Sequence, residues 1–251
     1  MNSSTAEGPL DEEEIMDIKN CVALVTGGNR GIGRQFVDEL LERGAAKVYA
    51  AVRRPEQADV PGAELLHVDI TEPHSVLALA ERAGDVTLLV NNAGIASTTS
   101  LITGDLPTIR REMETHYFGT LSVVRAFAPV LARNGGGAVV NVLSALSWFS
   151  YVGSNPYAAA KAAQWSLTNG IRLELADQGT LVQGVHLGAA DTDLMAGYEG
   201  PMIDPAEVAS ASLDGLQRGE IEVLVDDWSR MIKASLANDP RHFYGPSLAH
   251  T

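Results

Sequence analysis

Cysteine is nearly absent from this chain: of 251 residues only Cys21 carries a thiol. No disulfide can form within it, which suits a reducing cytosol, and a cytoplasmic location is expected. A single cysteine that opens an apolar run reads as a small core residue, not a reactive thiol. Long apolar runs are also missing, and none approaches the roughly 18 residues that a membrane span needs. The first residues lack a basic start followed by a hydrophobic stretch, so no secretory signal is expected. Basic residues are scarce, 18 Lys and Arg against 32 Asp and Glu, and the net charge of -14 argues against nucleic acid or an anionic membrane as partner. Part of the imbalance is local. Residues 1–18 hold Glu7, Asp11, Glu12, Glu13, Glu14 and Asp17 with no basic residue. They are expected to form an acidic, solvated tail, disordered to near Glu12, ahead of one domain over 19–251.

What the chain does have is alternation. Short apolar runs at Cys21–Thr26, Lys47–Val52, Glu64–Val68, Val86–Asn91, Ala138–Leu143, Val182–Leu187 and Ile221–Val225 predict strands. They are mostly continuous Val, Leu and Ala, as strands covered on both faces should be. Helical patterns over Gly31–Arg43, Glu72–Arg82, Pro107–Asn134, Pro156–Gln178 and Pro205–Arg218 lie between them. Pro205 suits a first helical turn, and Gly135 and Gly179 stand where left-handed caps are needed. The expected fold is therefore α/β, a doubly wound three-layer sandwich with a parallel sheet. Ligands should bind beyond the strands' carboxyl ends.

At the first strand–helix junction stands Thr26-Gly27-Gly28-Asn29-Arg30-Gly31-Ile32-Gly33. Glycines here let the backbone turn sharply and approach a pyrophosphate, whose charge a helix N-terminus favours. Gly27, Asn29, Arg30, Gly31, Ile32 and Gly33 are the expected cradle. An acid near the end of the second strand would accept from a free ribose hydroxyl, but this strand runs into Arg53-Arg54 with no acid between Glu42 and Glu56. Arg30 and Arg53 suit a 2′-phosphate, so NADP(H) is the expected cofactor. Asp69 could bond an adenine amino group or simply start a helix before Thr71-Glu72. In Asn91-Asn92-Ala93-Gly94 the small Ala93 and Gly94, with Asn91, would let the cofactor ribose lie against backbone.

The expected reacting centre is Ser144, Tyr157 thirteen residues on, and Lys161 one helical turn later. A hydride delivered to a carbonyl leaves an alkoxide in want of a proton. Tyr157 can supply it if the charge of Lys161, on the same helix face, favours tyrosinate. Ser144, closing a strand, can hydrogen-bond the substrate oxygen.

With these motifs in this order across about residues 19–225, the chain resembles the short-chain dehydrogenase/reductase family. The resemblance implies a Rossmann-like sheet of seven strands. It also implies a homo-oligomer, dimer or tetramer, built on the two long helices, and a basic residue in the glycine loop of NADP-dependent members, matched by Arg30. Thr192 falls where a family threonine binds the nicotinamide carboxamide. Two departures stand out. His116 occupies the place of a catalytic asparagine that connects the lysine to solvent, and it should make catalysis more pH-sensitive because imidazole titrates near neutrality. Leu187 replaces the proline of a Pro-Gly pair.

The family's substrate wall corresponds here to segments carrying Trp148, Phe149 and Tyr151, and Met195 and Tyr198. They are apolar and aromatic and contain no basic residue, so a hydrophobic ketone, aldehyde or alcohol is expected as the small-molecule substrate. Trp148 and Phe149 could equally cover the core or an oligomer interface. No metal site is expected. The rival readings are a non-catalytic NADP(H)-binding regulator and an epimerase or dehydratase on the same scaffold.

Overall fold

The computed structural model describes residues 16–248. Seven strands form one sheet in the order β3-β2-β1-β4-β5-β6-β7, all parallel. In chain order these are β1 (Val22–Thr26), β2 (Lys47–Val52), β3 (Glu64–His67), β4 (Leu88–Asn91), β5 (Ala138–Val142), β6 (Leu181–His186) and β7 (Glu222–Leu224). The continuous apolar runs are explained by burial on both faces, as in β4 and β5, where every residue is enclosed.

On one face pack α1 (Gly31–Glu42) and α6 (Pro205–Gln217), through Phe36, Val37 and Leu40 and through Val208, Leu213 and Leu216. On the other pack α2 (Pro73–Arg82), α4 (Thr120–Arg133) and α5 (Asn155–Glu174), with Leu79, Phe127 and Ile171 in the core. Strand order reverses beside β1, which pairs with β2 on one side and β4 on the other. A crevice opens at such a point because the two connections leave in opposite directions.

Three findings refine the expected elements. The helix expected over Pro107–Asn134 is one run in three parts: α3 (Leu106–Met113), a π-helical segment Glu114–Gly119, and α4. A π turn holds an extra residue and so resets which side chains face inward; here it buries Thr115, His116 and Gly119. The helix expected to reach Gln178 ends at Glu174 and tightens into a 3-10 turn, Ala176–Gln178, before Gly179 at φ 73°. The chain after β7 forms α7 (Asp227–Ala234) and α8 (Arg241–Leu248). The acidic tail falls mostly outside the described residues, but Ile18 is buried and Met16 packs on the core, so the folded unit begins before residue 19.

Candidate active site

Thr26 ends β1, and its hydroxyl accepts the backbone N–H groups of Asn92 and Ala93, each at 3.1 Å. The Asn92 amide in turn donates to the Thr26 carbonyl at 3.1 Å. These bonds splice the end of β4 onto the glycine loop. Gly27 and Gly31 have φ of 68° and 53°, which L side chains rarely adopt. Gly33 plays a different part: a Cβ there would stand 2.3 Å from the Gly27 carbonyl oxygen, so it lets α1 pack against the loop instead of facing the crevice. The N-terminus of α1 carries neither a side-chain cap nor an acid in its first turn, which leaves its amides to an anion.

A cavity of about 400 Å³ runs from this loop to the end of β5. It gathers Gly27, Asn29, Arg30, Gly31, Ile32, Arg53, Asp69, Ala93 and Gly94 at one end. His116, Ser144, Tyr157 and Lys161 line the other, and Thr192, beside Gly31, and Met195 also border the cavity. The donor set fits a dinucleotide phosphate, with helix amides, glycine backbone and the Arg53 guanidinium on one wall. Arg30 already spans the crevice, its guanidinium paired with Asp193 at 3.0 Å. The Asp69 carboxylate is turned to Thr71, accepting its N–H at 3.0 Å and its hydroxyl at 2.7 Å. Burial would raise its pKa, but the Thr71 bonds and the nearby Arg53 hold it below the usual carboxylate range.

At the other end, the Ser144 Oγ accepts the Leu146 N–H at 3.1 Å, so its own proton is left to donate. His186 Nδ1 stands 3.1 Å from the Ser144 carbonyl oxygen and holds the end of β5 in place. Lys161 is buried, and its ammonium donates to the Val142 carbonyl at 2.7 Å and to Gln164 Oε1 at 2.9 Å. Burial pushes it down to about 7 against a weaker opposing pull from Glu112. Burial pushes Tyr157 up, only partly offset by its bond to Ser144. In the protein by itself the protein groups therefore favour neutral phenol, and the expected charge of Lys161 does not override burial.

His116 is buried and meets the Tyr157 ring edge-on at 5.2 Å. Burial, then Lys161, lowers its pKa from the ordinary imidazole value despite Glu112, so the neutral ring is favoured. Leu187, in the place of the usual proline, is buried, and its carbonyl accepts the Ala145 N–H at 2.8 Å. Asp226 steadies the next residue by accepting the Gly188 N–H at 2.6 Å.

Several expected site residues lie away from this cavity. Asn91 is buried in the sheet and donates to Asn141 at 2.9 Å; its neighbour Asn92 lines the crevice. Trp148 stacks on His186, with centroids 3.8 Å apart, and Phe149 stacks on Tyr244 at 5.3 Å. Trp148 is held at the end of β6 and Phe149 by the C-terminal helices, outside the cavity lining, which is the alternative their aromatic character left open. Tyr151 and Tyr198 are exposed and outside the cavity lining. Sequence reasoning passed over Arg111 and Thr115, which line the cavity, and Glu112 beside His116. Glu112 could have been noticed from its four-residue spacing to His116 on one helix.

A family model described as short chain dehydrogenase matches residues 21–200. A crystal structure of a short chain dehydrogenase from Burkholderia cenocepacia, in complex with NADP, superposes with a TM-score of 0.88 at 40% identity, covering 93% of this chain and 99% of that one. The cis-4-hydroxycyclohexanecarboxylate dehydrogenase of Sinomonas cyclohexanicum is 36% identical over 70% of this chain and 76% of its own length. The 3-oxoacyl-(acyl-carrier-protein) reductase of Vibrio cholerae is 30% identical over 78% of this chain and 89% of its own.

Proposed function

This chain belongs to the short-chain dehydrogenase family, an oxidoreductase family, and from that we propose that it reduces hydrophobic ketones or aldehydes reversibly with NADPH, using Tyr157 as general acid/base. The observation that carries this reading is the meeting of Ser144, Tyr157 and Lys161 at one end of a cavity whose other end is a glycine-lined helix terminus. NADP is the cofactor named for the 40% identical Burkholderia structure, and Arg30 and Arg53 supply guanidinium groups where a 2′-phosphate would need them.

When bound, the dinucleotide supplies a hydride to the substrate carbon. The Ser144 hydroxyl donates a hydrogen bond to the substrate oxygen and stabilises the charge that develops there. Tyr157 passes its proton to that oxygen. Lys161, with a pKa near 7, can give up or regain a proton at neutral pH, while Gln164 and the Val142 carbonyl fix its position. Thr192, close to Gly31 and 3.4 Å from the Ala190 carbonyl, is placed to orient the carboxamide of the cofactor. Ile95, Leu143, Leu194 and Met195 make the reacting end apolar, in keeping with a hydrophobic substrate. The reading extends to a cytoplasmic homo-oligomer; exposed Phe118 and Leu173 on the two long helices support an association face.

Depletion of NADPH absorbance with a panel of aromatic and aliphatic ketones, across pH 5–9, tests the reading. Turnover in the wild type that falls roughly 10²- to 10⁴-fold in Tyr157→Phe, with NADPH binding retained, is the expected outcome. A second reading is a non-catalytic NADP(H)-binding regulator. The burial that raises Tyr157 favours it, and NADPH binding without turnover of any carbonyl would select it.

A further inference from the structure

One buried acid beside the reacting centre has no part in the chemistry above. Glu112, on α3, is wholly enclosed. A carboxylate in such a place gives up its hydration and needs protein donors instead. The Ser97 N–H donates to Oε1 at 2.6 Å, and His116 Nε2 lies 3.4 Å from Oε2. His116 Nε2 is also 2.8 Å from the Ile95 carbonyl oxygen. Carbonyl and carboxylate both accept, so Nε2 must carry the proton, and in the neutral ring Nδ1 is left as an acceptor. Among the described residues neither Nδ1 nor Glu112 Oε2 has a hydrogen-bond partner, so Oε2 faces Nε2 as a charge contact. Held this way, the imidazole meets Tyr157 at an interplanar angle of 89°. Four residues apart on one helical run, the two side chains share a face, and both are buried.

We propose that Glu112 is a positioning residue that, together with the Ile95 carbonyl, fixes the orientation of the Nε2–H imidazole of His116 and, through that ring, sets where the Tyr157 phenol stands. The proposal rests on Tyr157 being the general acid of the reductase reading. The titratable groups facing the imidazole are Glu112 from its own helical run, and Tyr157 and Lys161 from α5. The charge of Glu112 raises the pKa of both Tyr157 and Lys161, secondary in each to burial. Removing that charge should therefore ease ionisation of the phenol.

The test pairs tautomer assignment with kinetics on the full chain. Long-range proton–nitrogen NMR of the wild type, without cofactor, should show His116 protonated at Nε2. In Glu112→Gln the amide that replaces Oε2 brings a second donor against Nε2–H. The Ile95 carbonyl still accepts the Nε2 proton, so the tautomer should hold while the ring swings away from the amide, seen as weakened His116–Tyr157 ring NOEs. Reductive kcat should fall roughly 10- to 100-fold from misplacement of the phenol. KM for NADPH should stay within about twofold, and the alkaline limb of the pH–rate profile should move to lower pH. Glu112→Asp, which keeps the charge, should restore the ring contact and part of kcat. An Nδ1–H tautomer in the wild type would overturn the proposal, and this measurement needs no variant. A Gln variant with wild-type ring contacts and pH profile would overturn it too, and a displaced ring with unchanged kcat would break the link to Tyr157. If the wild type turns over no carbonyl, the reductase reading fails while the NMR still decides the part played by Glu112.

Discussion

Arg53 shows how much can turn on one side chain. It lines the crevice just past the end of β2, and among the described residues no hydrogen bond or ion pair competes for its guanidinium except the more distant charge of Asp69. Arg30, by contrast, is engaged with Asp193 across the crevice. Both partners of that pair are more than half exposed, so the contact is weak and screened by salt, and a phosphate could displace it. Arg53 is therefore the better single handle on cofactor choice. Arg53→Asp should raise KM for NADPH by roughly 10- to 100-fold, the loss of one charge-assisted bond plus new repulsion. KM for NADH should change little. Steady-state kinetics with each cofactor check this, and an equal effect on both would remove Arg53 from 2′-phosphate recognition.

At the scale of elements, the glycine loop and α1 form one unit with the end of β4. Gly33 lies where that unit is tightest: a Cβ would meet the Gly27 carbonyl oxygen and the Asn92 amide, both at 2.3 Å. Neither is a free-swinging group, because Asn92 is bonded to Thr26 and Gly27 is fixed by its N–H to the Ala51 carbonyl at 2.8 Å. Gly33→Ala should force α1 away from the loop and cost about 1–3 kcal/mol. Melting curves with and without NADPH should show a lower Tm and a smaller shift on cofactor addition. A normal shift would mean that the cradle tolerates the displacement. The same scale explains why the long helix was readable but its π turn was not. Apolar periodicity over Pro107–Asn134 marks a helix, whereas the extra residue near His116 is set by what packs against it, such as Ile70 against Gly119.

For the molecule as a whole, acid should be damaging through His186. The ring is fully buried between Trp148 and the Ser144 carbonyl, and burial pushes its pKa down to about 3. Its folded value lies below the ordinary 6.5, so the unfolded chain binds more protons between those two pH values. Stability is then complete above about pH 6.5 and is lost as pH falls toward 3. At pH 4.5 this one group removes about 2–3 kcal/mol. His186→Asn keeps a donor for the Ser144 carbonyl but cannot titrate there. Urea unfolding at pH 7 and pH 4.5 should show a smaller drop in the variant, and an equal drop would place the acid sensitivity elsewhere. His186 also ties the sheet to the C-terminal helices, since Trp148 lies beneath Lys233 at 5.6 Å, and Lys233 pairs with Glu222. Phe149, Trp228, Phe243 and Tyr244 extend that seam.

What the sequence by itself determined is what depends on local pattern. Continuous apolar runs separated by helical periods were enough for seven parallel strands in two-sided layers, because strands covered on both faces have no polar side to show. Glycines at a strand–helix junction and a Tyr–Lys pair one turn apart were enough for the two ends of the cleft, because chain direction and helical pitch carry those residues there. Tertiary structure alone decided what depends on neighbours distant in sequence. It placed Trp148 and Phe149 against β6 and the C-terminal helices, since an aromatic side chain packs against whatever apolar surface reaches it. It gave Asn92, not Asn91, to the crevice, because β4 is enclosed through Asn91 and Asn92 stands just past its end. And it set the protonation preferences of Tyr157, Lys161 and His116, because burial, a property of the assembled fold, outweighs the charges that their spacing along the helices brings close.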